Sequence, residues 1–315
     1  MPLPTDQLVV KATTTTTTLA ATIPHIWSSQ LERNLRKRAV FEQSAVVNAD
    51  LTVPKAGDII YIPIIPDLGP ATVQTEGTDM TVYALNTASS VPLTPVEYGN
   101  VIEITRKALD RINYDGMAAI IDRLAYSMSQ AVEGAFATLW NTPVPGTSNK
   151  INKFYANQKL TGTITANDTF NDQMILQGVA NLQVANNIPF DDGYFVLYIS
   201  PTQYLALLQD TNTRQDLRWA APDRLLNGEV GVLHGCRIIL TNYIQTSAEG
   251  AGGAVTVQNA MLVAPRWGAV AYKRRPEIYV DPTLYDGGRR RRFGVTADFD
   301  IEVLHNDRAQ ILGSA

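Results

Sequence analysis

Residues 54–98 constrain the fold more than any other stretch of the 315-residue chain. They open on the turn Pro54-Lys55-Ala56-Gly57-Asp58 and pass into a β-rich run, Ile59 to Ile65. A polar span, Pro66 to Ser90, follows; it is rich in threonine and holds Gly69-Pro70 and Glu76-Gly77-Thr78-Asp79. A second extended run covers Val91 to Val96. Two β-rich arms around a polar tip predict a long hairpin. Proline lacks the N–H that a central strand must donate, so Pro92 and Pro95 make it an edge or free-standing ribbon. A lone two-stranded ribbon is marginal in water, so packing on another chain should stabilise it.

The remaining elements surround that ribbon. Residues 1–22 carry Thr13–Thr18, six β-branched residues with no apolar face, which read either as an extended arm or as a floppy terminus. Ile26, Trp27, Leu31 and Leu35 recur at helix spacing within 23–38, and a mixed apolar segment covers 40–53. Val101 to Thr105 reads as a strand and Arg106 to Arg111 as a short helical piece. The clearest helix runs from Asp115 to Trp140, with Ile121, Leu124, Met128, Val132 and Leu139 on one stripe and Pro143 beyond its end. At ~1.5 Å per residue it would be a rod of roughly 40 Å. A second helix is expected over 168–186, and a third starts at Ser200-Pro201, the N-cap and first helical position. Tyr194 to Ile199 and Gly235 to Leu240 are apolar throughout and predict strands buried on both faces. Ser247 to Gly253 reads as a glycine-rich loop and Ala260 to Ala264 as a strand. From Trp267 onward the chain is extended, and Phe293 to Leu304 alternates strictly, which predicts a strand with one solvated face.

Composition narrows the chemistry. The apolar fraction of 45% and charged fraction of 18% describe an ordered globular chain. A formal net charge of −4 lacks the basic balance of a dedicated nucleic-acid binder, so any contact with double-stranded DNA should be weak and non-specific. The opening MPLPTDQLVV has no cationic patch before an apolar run, and no stretch approaches the roughly 20 apolar residues of a membrane span, so a soluble protein is expected. A single cysteine excludes an internal disulfide framework, and His25, His234 and His305 lie in unrelated segments without ligand spacing. Neither a cofactor nor a metal is expected.

Three motifs invite a catalytic reading, and each has a simpler one. His234-Gly235-Cys236 places a base near a thiol, but nothing adjacent would lower the thiol pKa, so a buried structural cysteine is expected. Asp298 and Asp300 share a strand face and read as a solvated acidic pair. Gly250-Ala251-Gly252-Gly253 runs into strand rather than the helix that a phosphate cradle requires. Arg289-Arg290-Arg291-Arg292 is the strong charge cluster of a net acidic chain. It reads as a solvated turn or as a contact, with nucleic acid or with carboxylates of another subunit. Glu76 and Asp79 are the partners expected under the subunit reading.

The order of parts resembles the major capsid proteins of tailed bacteriophages, the Hong Kong 97-type shell fold, over nearly the whole chain. The resemblance implies an α+β fold: an N-terminal arm with a short helix (1–53), an extended loop (54–98), a peripheral domain with a spine helix (99–159), an axial domain (160–265) and return strands of the peripheral domain (266–315). Gly235-Cys236-Arg237-Ile238-Ile239-Leu240-Thr241-Asn242 is similar to a strand of the axial domain, and Ile104-Thr105-Arg106-Lys107-Ala108 resembles podovirus-type coat proteins. The resemblance implies a virion protein, not an enzyme, whose copies form hexamers and pentamers of an icosahedral shell around double-stranded DNA. It would be assembled in the host bacterial cytoplasm with a scaffolding protein, a portal and decoration proteins. Some members weld subunits through a loop lysine; here no lysine lies between Ala56 and Arg106, so no covalent cross-link is expected. An encapsulin-type compartment holding cargo enzymes shares the fold, and a soluble enzyme using Cys236 is the reading from another class.

Overall fold

A computed structural model describes residues 40–48, 59–64, 71, 73, 75–77, 79, 89–109, 116–145, 148–210, 231–281 and 286–315. The threonine arm, the helix expected over 23–38 and most of the ribbon tip lie outside them.

The long helix forms where periodicity places it. Helix α1 (Arg106–Leu109) precedes α2 (Gly116–Thr138), which tightens into a 3-10 turn at Leu139–Asn141 before Pro143. Ile121, Leu124, Met128, Val132, Phe136 and Leu139 are buried along one stripe. That stripe packs on a four-stranded sheet ordered β1 (Val46–Asn48), β11 (Gly268–Val280), β12 (Arg290–Val303) and β4 (Val96–Thr105). Strand β1 is parallel to β11, and the other pairs are antiparallel. Phe293, Val295, Ala297, Phe299, Ile301 and Val303 supply the core side of β12, as the alternation predicts.

The opposite face of β12 departs from the solvated surface expected of it. Gly294 lies opposite Tyr279, whose ring fills the space a Cβ would need: the added carbon would sit 2.5 Å from Cζ. Asp298 is buried rather than solvated.

The ribbon is present as a separate two-stranded sheet, β2 (Ile60–Ile64) antiparallel to β3 (Ser89–Leu93), in register from Ile60↔Leu93 to Ile64↔Ser89. Its second arm ends at Leu93, and Val96 already belongs to β4 in the other sheet. Its root does not wait for another chain: Val91 and Leu93 are buried in the subunit's own core, with Ile60, Ile62 and Ile64 against it. The far end shows a turn at Glu76-Gly77, with Gly77 at φ +81, and its described residues are exposed.

A second sheet of seven strands runs β5 (Asn152–Tyr155), β13 (Ala309–Ser314), β10 (Val255–Val263), β6 (Phe195–Ile199), β8 (Cys236–Leu240), β7 (Val232–Leu233), with β9 (Thr246–Glu249) paired to β10. Its two faces explain the unbroken apolar runs. Val196, Tyr198, Met261, Val263 and Ile311 enter the core that holds α2, whereas Leu197, Ile199, Ala260, Leu262 and Leu312 enter a second core. Helices α3 (Asp172–Val184) and α4 (Pro201–Gln209) close that second core. Gly178 lets α3 approach closely, since a Cβ there would lie 2.9 Å from Leu262 and 3.2 Å from Leu312.

Several boundaries move for identifiable reasons. Helix α3 starts at Asp172, not Asp168, because Asn171 caps it through the Met174 N–H while the Asp168 carboxylate is engaged elsewhere. Ser200 and Gln203 form the reciprocal cap expected of α4, with Pro201 in the first turn. The glycine-rich segment is not all loop: Thr246–Glu249 is strand, only the turn at Gly250–Gly253 is irregular, and the strand expected over 260–264 begins at Val255. Strand β13 leaves β11 and β12 and joins the seven-stranded sheet, between β5 and β10.

Candidate subunit-contact sites and buried carboxylates

The arginine cluster opens β12, where alternation divides it. Arg290 Nη1 donates to Glu103 Oε1 at 2.8 Å, and Arg292 Nε donates to Glu103 Oε2 at 2.7 Å. Glu103 lies in β4 directly opposite Arg292, and its side chain is largely buried. These two arginines are therefore tied within the subunit. Arg291 points to the other side of the strand, and its buried Nε has no hydrogen-bond partner; Arg289 is exposed. Glu76 and Asp79 are exposed near the ribbon tip, and among the described residues neither pairs with the cluster. Glu103 was missed because its role depends on strand register; the local signal was an acid alternating with apolar residues in Val-Ile-Glu-Ile-Thr.

The catalytic readings find no support in the geometry. His234 and Gly235, at φ +48 and +77, form a two-residue hairpin turn between β7 and β8, so His234 is not on a strand face with Cys236. Cys236 is fully buried, and burial pushes its thiol up to about 12. Asp298 faces Arg274 at 3.5 Å, while Asp300 accepts the Thr94 N–H at 2.6 Å and so ties the ribbon root to β12. Among the described residues no three metal-ligating side chains converge, and no helix is long and apolar enough to cross a membrane.

Two carboxylates that sequence reasoning passed over hold segments together, Glu133 across some ninety residues and Asp168 within its own neighbourhood. Glu133, on α2, accepts the N–H groups of Val40 and Phe41, the latter at 3.3 Å, where the N-terminal segment enters the body. Phe41 packs on Tyr198, with ring centroids 4.4 Å apart, and near Phe136. Ser44 Oγ accepts from the Tyr198 hydroxyl at 2.9 Å and the Trp267 indole at 3.1 Å. Burial raises the Glu133 carboxyl to about 7; its two backbone donors oppose this, and Glu42 adds repulsion. Asp168 accepts from Lys159 and Asn157 at 2.8 Å and from the N–H and hydroxyl of Thr165 at 2.7 Å. Burial alone would raise its pKa, but those donors outweigh it and hold the carboxyl well below the usual range.

A ribbon rooted on a β-sheet, a long helix across that sheet and a seven-stranded sheet covered by two further helices define a shell-building subunit with the Hong Kong 97-type α+β capsid fold. The chain belongs to the phage capsid protein family, which matches residues 88–311. It is a structural virion protein, a phage capsid protein and not an enzyme. The fold is similar to the capsid of Ralstonia phage GP4, with a TM-score of 0.70 at 14% identity over 89% of this chain and 91% of that one. The cyanophage Pam1 capsid gives a TM-score of 0.67 at 18% identity over 87% and 90%. The capsid of Helicobacter pylori bacteriophage KHP30 gives 0.62 at 14% over 87% and 88%. No curated protein matches the sequence.

Proposed function

We propose that many copies of this chain close as hexamers and pentamers into an icosahedral shell around double-stranded DNA, held by overlap without covalent cross-links. The observation that carries this reading is the ribbon: among the described residues β2 and β3 pair only with each other, and those beyond them are exposed. Two-stranded ribbons are marginal alone, so the tip gains most by lying on a neighbouring copy. In this reading residues 54–98 form the overlapping loop. Residues 99–159 and most of 266–315 build the peripheral domain, and 160–265 build the axial domain. The absence of lysine between Ala56 and Arg106 supports a shell without welds. A net charge of −4 supports only weak contact with packaged DNA. Assembly would take place in the host cytoplasm with scaffold, portal and decoration proteins.

Within the arginine cluster, Arg289 and Arg291 are the groups to meet Glu76 and Asp79 of an adjacent copy. Reversing Arg290 is not a clean test, because it would set two acids against each other inside one subunit. The double substitution Arg289→Glu with Arg291→Glu should abolish closed shells in electron micrographs while leaving the circular dichroism spectrum unchanged. Adding Glu76→Arg and Asp79→Arg should restore shells. Normal shells from the first variant would defeat the pairing. Wild-type shells should contain nucleic acid when taken from the native source and, once boiled, should run as single chains on a denaturing gel.

A further inference from the structure

The helices over the second core face outward almost without charge. Between Asp172 and Asp210 the only ionisable acids or bases of the Asp, Glu, Lys, Arg set are Asp191 and Asp192. At the chain's charged fraction of 18%, that stretch should hold about seven. Helix α3 buries Met174, Ile175, Gly178, Val179 and Leu182, which complete the core beneath it. Its outer side is then Gln173, Leu176, Gln177, Ala180, Gln183 and Val184, all exposed. Leu176 is 46% exposed, Val184 83%, and Ile188 just past the helix 76%. The core has no use for these apolar groups, and a helix facing water permanently would carry charges there. Alkyl and amide groups with charge excluded are the composition of a buried interface centre.

Charge also selects the occupant. A polyanion would require lysine or arginine, and none occurs between Lys159 and Arg214. Copies of a chain with net charge −4 repel one another, so they meet at least cost over a face from which that charge is missing. Burying such a face desolvates no ion. We infer that the uncharged outer face of α3, continued by Ile188, is a contact surface for a second copy of this chain. The inference rests on the capsid reading and adds to it which face of the lobe meets a neighbour.

Leu176→Lys combined with Gln183→Lys tests this. Lysine keeps helix propensity at exposed positions and reaches no core contact. The full-length variant should melt within about 2 °C of wild type, yet yield at least ten-fold fewer closed shells under conditions in which wild type assembles. Independently, Ala180→Cys carrying a benzophenone should photo-cross-link copy to copy in assembled shells and not in unassembled protein; the native Cys236 is buried and will not take the label. Wild-type protein that never forms shells would defeat the capsid reading itself. Wild-type shells together with normal assembly of the lysine variant, or single-chain product after irradiation of labelled shells, would overturn the contact surface. So would transfer of the photoproduct to a different protein.

Discussion

Glu133 ties a remote stretch of chain to the body and Asp168 a nearby one, at 1% and 2% exposure, and they titrate in opposite directions. Glu133 receives two backbone N–H groups on one oxygen, while its other oxygen is buried without a hydrogen-bond partner. Asp168 receives four donors on two oxygens, one of them an ammonium. Similar surface exposure thus accompanies a carboxyl that favours the proton at one site and a firmly ionised carboxylate at the other. Glu133 lies deeper, so desolvation exceeds its two backbone donors, whereas at Asp168, nearer the surface, four donors together exceed it. Asp168 acts as a permanent tie, and Glu133 as one whose strength follows pH.

The largest effect should come from removing the well-paired member. Asp168→Ala strands the Lys159 ammonium and the Thr165 amide and should cost about 3–5 kcal/mol, read as a lower urea midpoint at unchanged slope. At Glu133 the sign reverses. Its folded pKa of about 7 lies above the ordinary carboxyl value of 4.5, so the folded state holds the proton more tightly. That stabilisation is complete below pH 4.5 and is lost as pH rises through 7, at up to about 3 kcal/mol. Glu302, also raised to about 7 by burial and by Asp300, acts in the same direction. Asp168 acts oppositely, since its depressed pKa stabilises the fold above the normal carboxylate range and that gain is lost in strong acid. Urea unfolding from pH 4 to 8 should therefore show a maximum near pH 5, and Glu133→Gln should flatten the limb above it. An unchanged slope in that variant would break the comparison. The smallest effect belongs to Ser44 in the same N-terminal junction: Ser44→Ala removes the acceptor of the Trp267 indole, while the Tyr198 hydroxyl keeps the Val40 carbonyl at 3.1 Å, and should cost about 1–2 kcal/mol.

What could be read beforehand was whatever is encoded locally. The stripe of α2, the alternation of β12 and the Ser200-Pro201 start are periodicity and capping, and each stands close to its expected place. Residues 168–171 show where local reading stops. Asp168 is a good helix starter by type, yet Asn157, Lys159 and Thr165 recruit it, and Asn171 takes the cap. Glu133 follows Val132 on the buried side of α2, a hint that it is not solvated, but its partners Val40 and Phe41 lie some ninety residues away. Glu103 becomes a clamp for two arginines only through the register of β4 on β12.

Strand β13 lies between β5 and β10, parallel to the first and antiparallel to the second. Asn152 must wait for Gln310 before it has a partner, and β5 cannot reach β10 without the strand that separates them. Pairings across so much intervening chain are slow, because loop closure is opposed by entropy before any contact compensates it. Insertion of 309–314 should be the late, rate-setting event of folding. A newly made subunit would then complete its lobe only after the segments that build the long helix and the ribbon root have already emerged from the ribosome.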